Sequence, residues 1–343
     1  MTDWSGVPAM LVYGGLAVGL AGLVMAGLAA LPQARHRVRI VPSLRTTAVR
    51  RAAVVINPIR VADTEAYRAR IAAAMRDAGW AEPMWLPTTA EDPGRGMSAQ
   101  AVEAGVDVVF VCGGDGTVRG CVSELMHTGI PMALLPAGTG NLLVRNLRLP
   151  MDLDQAVLVG LHGTDRAIDV GMVEDQPFTV MAGIGFDAAI MADAPARLKQ
   201  QVGWPAYIVS GLRHIRDRRM HVTLRLDGGP PLRRRARTVV LGNVGALQGG
   251  LHLLPDALPD DGILDVVVLA PKGLVDWVRV AGRVLRRRTG VDQRIEHFRV
   301  QQIEISSDRP EPRELDGDLI APGTSLTARI EHRALLVRMP PDG

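Results

Sequence analysis

Aromatic residues are scarce in this chain: Phe, Trp and Tyr make up 3% of its 343 positions. Modules that grip single-stranded nucleic acid stack bases on such rings, so nucleic acid is not expected as a partner. Cysteine is rarer still, with two in all. Cys112 and Cys121 frame one glycine turn, and no histidine stands at ligand spacing from them. That excludes a disulfide framework and argues against zinc; both read as core thiols in a reducing compartment. Internal repeats and long disordered tracts are absent. Net charge is small, +3, but unevenly spread. Arginines cluster at Arg213 to Arg219, Arg233 to Arg237 and Arg283 to Arg288. Solvated faces and attraction to an anionic membrane surface both fit that spread.

What the chain does have is apolar content, 47% of its residues, enough for one anchor and two domains. Residues 9–31 carry neither charge nor histidine, and Pro32 ends the run. Such a stretch is long enough to cross a bilayer as a helix. A basic linker, residues 32–50, follows with Arg35, Arg37, Arg39, Arg45 and Arg50, while only Asp3 is charged before the run. By the positive-inside tendency this predicts a single-pass protein of the cytoplasmic membrane with its catalytic part facing the cytoplasm. A cleaved signal peptide competes with that reading but would need a basic first region that is missing. Gly15 and Gly19 make a small-xxx-small pair, weak support for a homodimer.

From residue 51 short apolar runs alternate with helical patterns. Strands are expected at Ala52–Ile56, Pro83–Leu86, Val106–Val111 and Pro131–Leu135, and helices at Thr64–Ala78, Met97–Ala104, Thr117–His127 and Leu142–Leu147. That alternation predicts a doubly wound parallel sheet with helices on both faces. Ligands of such sheets bind at the carboxyl ends of the strands, where Asn57-Pro58, Thr88, Gly113 to Thr117 and Gly138 to Asn141 all fall. After about residue 163 the pattern changes. Strands are expected at Thr164–Glu174, Pro177–Ala182, Met220–Leu226, Leu232–Leu241, Ile263–Leu269, Phe298–Ile305 and Leu326–Ile330, with a helix at Pro205–Arg218 and a loop from Ser307 to Asp318. The division predicted is an α/β nucleotide domain over 51–163 and an antiparallel β domain over 164–330.

The most specific signal is Gly113-Gly114-Asp115-Gly116-Thr117. Glycines after a buried strand let backbone N–H groups approach a phosphate. An acid among them would repel phosphates unless a divalent cation intervenes or the acid steers a proton, which points to phosphoryl transfer. The glycine spacing is not that of a dinucleotide fingerprint, and no Gly-Lys-Ser/Thr follows as in a P-loop. A plain turn with Asp115 capping the next helix is the structural alternative. In the second turn, Gly138-Thr139-Gly140-Asn141, Thr139 can bond a phosphate or ribose.

These stretches together resemble the diacylglycerol kinase and sphingosine kinase superfamily, its bacterial lipid kinase branch in particular, over about residues 51–340. Gly183-Ile184-Gly185-Phe186-Asp187, Pro255-Asp256-Ala257 with Asp261-Gly262-Ile263-Leu264-Asp265, and Asp316-Gly317-Asp318 match its later motifs in order. The resemblance implies an α/β domain and a C-terminal β-sandwich with the site in the cleft between them, and a last strand, residues 331–340, that returns to the first domain. It implies ATP bound by Asn57 to Val61, Thr88, Gly113 to Arg119, Gly138, Thr139 and Asn141, with Asp115 orienting Mg²⁺ or activating the acceptor. It implies a structural Mg²⁺ on Asp261 with the carbonyls of Leu258 and Ile263. Asp318 would accept the proton, with Asp316 beside it as the alternative. Here the chain departs from the family, which has glutamate at position 318; aspartate reaches about 1.5 Å less far. The activity implied is ATP-dependent phosphorylation of a lipid hydroxyl such as that of diacylglycerol. An NAD kinase shares the Gly-Gly-Asp-Gly turn but carries an Asn-Glu pair absent here. A non-catalytic lipid-binding protein on the same fold is the third reading, resting on Asp318 alone.

Overall fold

A computed structural model describes residues 49–61, 63–185, 219–245, 254, 256–273, 276 and 294–341, all within the compact unit Val49–Gly343. Its first half runs β1 (Ala52–Ile56), α1 (Thr64–Asp77), β2 (Met84–Pro87), α2 (Arg95–Glu103), β3 (Val108–Gly113), α3 (Asp115–Leu125), β4 (Met132–Pro136), α4 (Leu142–Asn146) and α5 (Leu153–His162). β1 pairs in parallel with β2 and β3, and β3 with β4. Because side chains alternate across a strand, β1 feeds two cores. Ala53 and Val55 pack with Val118, Val122 and Leu143 on one face; Val54 and Ile56 pack with Ile71, Met75 and Leu161 on the other. Burial on both faces is why these strands are uninterrupted apolar runs.

The helix ends follow local chemistry. Asp63 caps α1 by accepting the Ala66 N–H at 2.9 Å, and Gly79 at φ 74° turns the chain out of it. Helix α3 starts at Asp115 rather than Thr117, so the acid opens the helix. Helix α5 is not among the expected elements. Its sequence, LDQAVLVGLH, is apolar on most sides, so the helical period is masked; Asp152 caps it, accepting the Gln155 N–H at 3.1 Å.

The second half is antiparallel: β5 (Thr164–Val173), β6 (Gln176–Phe178), β7 (Met181–Gly185), β8 (Met220–Leu226), β9 (Leu232–Ala236), β10 (Thr238–Gly242), β11 (Leu264–Leu269), β12 (Ile295–Val300), β13 (Gln302–Leu315) and β14 (Asp318–Met339). Its own core gathers Phe178, Ile184, Leu224, Val266, Ile305 and Leu326, among others. The run Leu232–Leu241, expected as one strand, breaks at Arg237 into β9 and β10. The expected loop Ser307–Asp318 is instead strand as far as Leu315. Register shifts between Ser306, Glu311 and Arg313 absorb Pro310 and Pro312, which cannot donate to a ladder. The ion pairs Arg309–Glu311 and Arg313–Glu174 hold the charged side chains that made this stretch read as a loop.

β14 joins the halves. It pairs with β13 and β5, and Val337 then lies beside Met132 of β4 in parallel. One hydrogen-bonded path therefore runs β12-β11-β10-β7-β13-β14-β4-β3-β1-β2.

The expected single-pass placement in the cytoplasmic membrane is corrected. Among the described residues no helix is long and apolar enough to cross a membrane; the longest, α1, has 14 residues, where about 20 apolar ones are needed. Residues 9–31 themselves lie outside the described residues, as do the expected helix Pro205–Arg218, Phe186 and Asp187, and the cluster Arg283 to Arg288.

Candidate active site

The parallel strands end on one edge, and their loops are pinned to one another. The Asn57 N–H donates to the Cys112 carbonyl at 2.8 Å, and the Asn57 amide donates to the Thr117 hydroxyl at 3.3 Å. The Thr88 N–H donates to the Ile56 carbonyl at 2.9 Å. The two glycine turns touch backbone to backbone: a Cβ placed on Gly138 would stand 2.5 Å from the Gly114 Cα. Asn141, at φ 47°, spends its amide inside the second turn, accepting the Gly138 N–H at 3.0 Å and donating to the Gly138 carbonyl at 2.8 Å. It shapes the loop, while Thr139 and Pro58 are exposed.

Asp115 sits at the first turn of α3, where the helix dipole favours an anion. Its Oδ1 accepts the Leu142 N–H at 2.6 Å, tying the two loops together. Burial pushes its carboxyl up to about 6, with Asp316 adding to the rise. Beneath it lies a cavity of about 10 Å³ whose lining includes Val111, Val118, Leu134 and Val144, room for at most a single water. The cysteines on either side are buried and free, their thiols pushed up to about 12 by burial, so neither is a thiolate at neutral pH.

The tight turn from β13 to β14 brings the second acid. Asp316 and Gly317 both have positive φ, 48° and 87°, and Leu315 faces Asp318 across the hairpin. Asp316 is 4% exposed. Its Oδ2 accepts the Thr179 N–H at 2.8 Å and hydroxyl at 3.1 Å, and its Oδ1 accepts the Val180 and Met181 N–H groups at 2.8 and 3.0 Å. Both oxygens are committed, so Asp316 anchors the turn, and of the pair Asp318 is the acid open to a substrate. The Asp318 Oδ2 lies against Gly116, where a Cβ would stand only 3.2 Å away. The missing side chain lets the shorter acid close on the turn. Arg119, one helical turn after Asp115, donates to that Oδ2 at 3.0 Å and to the Leu315 carbonyl at 2.8 Å. No pattern in the sequence announces this pair, whose members stand 199 residues apart. Asp169, fully buried on β5, is a further unforeseen residue; an acid between Ile168 and Val170 in an apolar run was its only signal.

The donor sets for the two implied cations differ. At the glycine turn one carboxylate, Asp115, fits a magnesium that takes its other ligands from phosphates and water. At Asp261 the residues do not fit. Its Oδ1 accepts the Ile263 N–H at 3.1 Å, and its Oδ2 is 2.5 Å from Arg299 Nη2. A guanidinium already occupies the side a cation would need. No group of three or more metal-ligating side chains is present among the described residues.

Residues 51–173 match the diacylglycerol kinase catalytic domain, and residues 179–338 match the YegS C-terminal NAD kinase beta sandwich-like domain. A protein of Pseudomonas fluorescens named "Probable lipid kinase YegS-like" is 32% identical over 274 residues, spanning 78% of this chain and 89% of that protein. One of the same name from Pseudomonas syringae pv. syringae is 30% identical over 272 residues, 78% and 87% of the two chains. The crystal structure of a diacylglycerol kinase from Bacillus anthracis str. Sterne superposes with a TM-score of 0.69 at 22% identity, covering 85% of this chain and 98% of that one, a likeness of fold. With both domains matched in order and relatives alike over most of their length, the chain belongs to the YegS-like lipid kinase family.

Proposed function

We propose that the chain is an ATP- and Mg²⁺-dependent kinase that phosphorylates a hydroxyl of a lipid such as diacylglycerol. The observation carrying this reading is the meeting of two acids from the two halves of the chain, Asp115 and Asp318, at one glycine turn. ATP would lie across Asn57, Pro58, Thr88, Gly113 to Thr117, Gly138 and Thr139, its phosphates toward the N-terminus of α3. Magnesium bound with the nucleotide would neutralise phosphate charge beside Asp115. Asp318 would take the proton of the acceptor hydroxyl while that oxygen bonds the γ-phosphorus and the bond to the β-phosphate oxygen breaks, releasing ADP. Arg119 and the anchored Asp316 turn hold Asp318 for that task.

The test is transfer of label from ATP to diacylglycerol in mixed micelles with Mg²⁺, followed by mass identification of products from a total lipid extract. Labelled lipid is expected, and Asp318→Ala and Asp115→Ala should each lower the rate by about 10² to 10⁴. Absence of any labelled lipid, from diacylglycerol or from the extract, would overturn the proposal.

A further inference from the structure

The loop of residues 258–263, just before β11, is where the family resemblance puts a structural magnesium. In this chain it is held by three residues on two strands, Asp169 and Arg166 of β5 and Arg299 of β12. Asp169 accepts the Gly262 N–H through Oδ2 at 2.6 Å, and its own N–H donates to the Pro259 carbonyl at 2.6 Å. The other oxygen of Asp169 accepts the Arg333 N–H at 2.7 Å and stands 2.8 Å from His332 Nδ1, fastening the loop to β14. Arg166 on β5 donates to Asp260 through Nε and Nη2 at 3.1 and 2.9 Å. Arg299 on β12 reaches Asp261 at 2.5 Å and, lying opposite Asp265 in the β11–β12 register, approaches its Oδ1 at 3.5 Å.

We infer that Arg299 replaces the structural divalent cation, so that the folded chain needs no metal at this loop. A guanidinium is permanently charged and carries a fixed fork of donors, which suits two carboxylates on adjacent elements. Asp256 is a further negative neighbour of Asp265, and Arg299, a permanent part of the chain, is the positive group that lies against both Asp261 and Asp265. A magnesium ion on Asp261 would stand beside that like charge and would have to displace it. The oxygen left over is Asp265 Oδ2, buried without a hydrogen-bond partner, and a cation there would share Asp265 with Arg299. The inference does not depend on the proposed activity, since it concerns the nucleotide-free protein.

Thermal denaturation of the nucleotide-free full chain, in excess EDTA and in millimolar MgCl₂ at matched ionic strength, tests it. Wild-type midpoints should agree to within about 1 °C, whereas a structural site near saturation would separate them by several degrees. Arg299 is half exposed, but its partner Asp265 is 9% exposed at the side chain. Arg299→Met therefore leaves a buried carboxylate without its cation and should melt lower in EDTA, by about 2 °C, and recover part of that loss when Mg²⁺ is added. A wild-type midpoint that falls on chelation, or an Arg299→Met midpoint equal to wild type, would overturn the inference. Should the variant fail to fold, wild-type calorimetry decides. Absence of Mg²⁺ binding without nucleotide supports the substitution; binding at sub-millimolar Kd defeats it.

Discussion

Asp115 is a carboxylate kept where folding would rather have a neutral group. Its folded pKa of about 6 lies above the ordinary 3.8. Between those values the native state binds more protons than the unfolded one, so stability falls as pH rises through the interval, and the loss is complete above about pH 6. Asp115→Asn keeps an oxygen for the Leu142 N–H and removes the buried charge. We therefore expect the variant to be more stable than wild type at pH 7.5, by at most about 3 kcal/mol, with the gain shrinking as pH drops toward 4. Urea denaturation at several pH values checks this, and the same variant should have lost phosphoryl transfer. Arg119 makes a second case. Its partner Asp318 is 53% exposed at the side chain, so their pair adds little to stability, under about 1 kcal/mol. Its worth is geometric. Arg119→Met should leave the denaturation midpoint nearly unchanged while lowering kcat by about 10- to 100-fold, since displacements on the order of 1 Å matter in catalysis. A variant with wild-type kcat would remove Arg119 from the positioning machinery.

Two turns determine whether these residues meet. The glycine turns after β3 and β4 approach so closely that Gly138 has no room for a methyl group against the Gly114 Cα, which is backbone and cannot step aside. Gly138→Ala should therefore lower stability by about 1–3 kcal/mol and weaken nucleotide binding, measurable by a fluorescent ATP analogue; unchanged affinity would show that the two turns can separate freely. The hairpin at Asp316 and Gly317 works differently. It needs left-handed backbone at both residues, and the buried Asp316 carboxylate enforces the turn through four hydrogen bonds to 179–181. Both glycine turns are visible in the amino-acid string because glycine after an apolar run is a local signal. The strand β13 was hidden, since Pro310, Pro312 and the charges around them are the composition of a loop. Helix α5 was hidden for the opposite reason: residues apolar on most sides have no periodicity to detect.

Across the molecule β14 is the shared member. Its 22 residues line the antiparallel half, then pack Leu335 and Val337 into the core of the parallel half. The two halves should therefore unfold together. A single calorimetric transition is expected, and Leu335→Ala, which empties a fully buried position, should destabilise the whole by about 2–5 kcal/mol. Two separated transitions, only one of them moved by the substitution, would show the halves to be independent.

Spacing along the chain was enough to reveal the alternating strands and helices of the first half, the antiparallel character of the second, and the two glycine turns at strand ends. Each of these rests on burial period and backbone freedom over a few residues. The partners of Asp318, the anchoring role of Asp316, and the arginine lying on Asp261 were not legible in that way. Those contacts join residues far apart in the chain, and their distances exist only once β13, β14 and β12 have found their registers against the rest of the sheet.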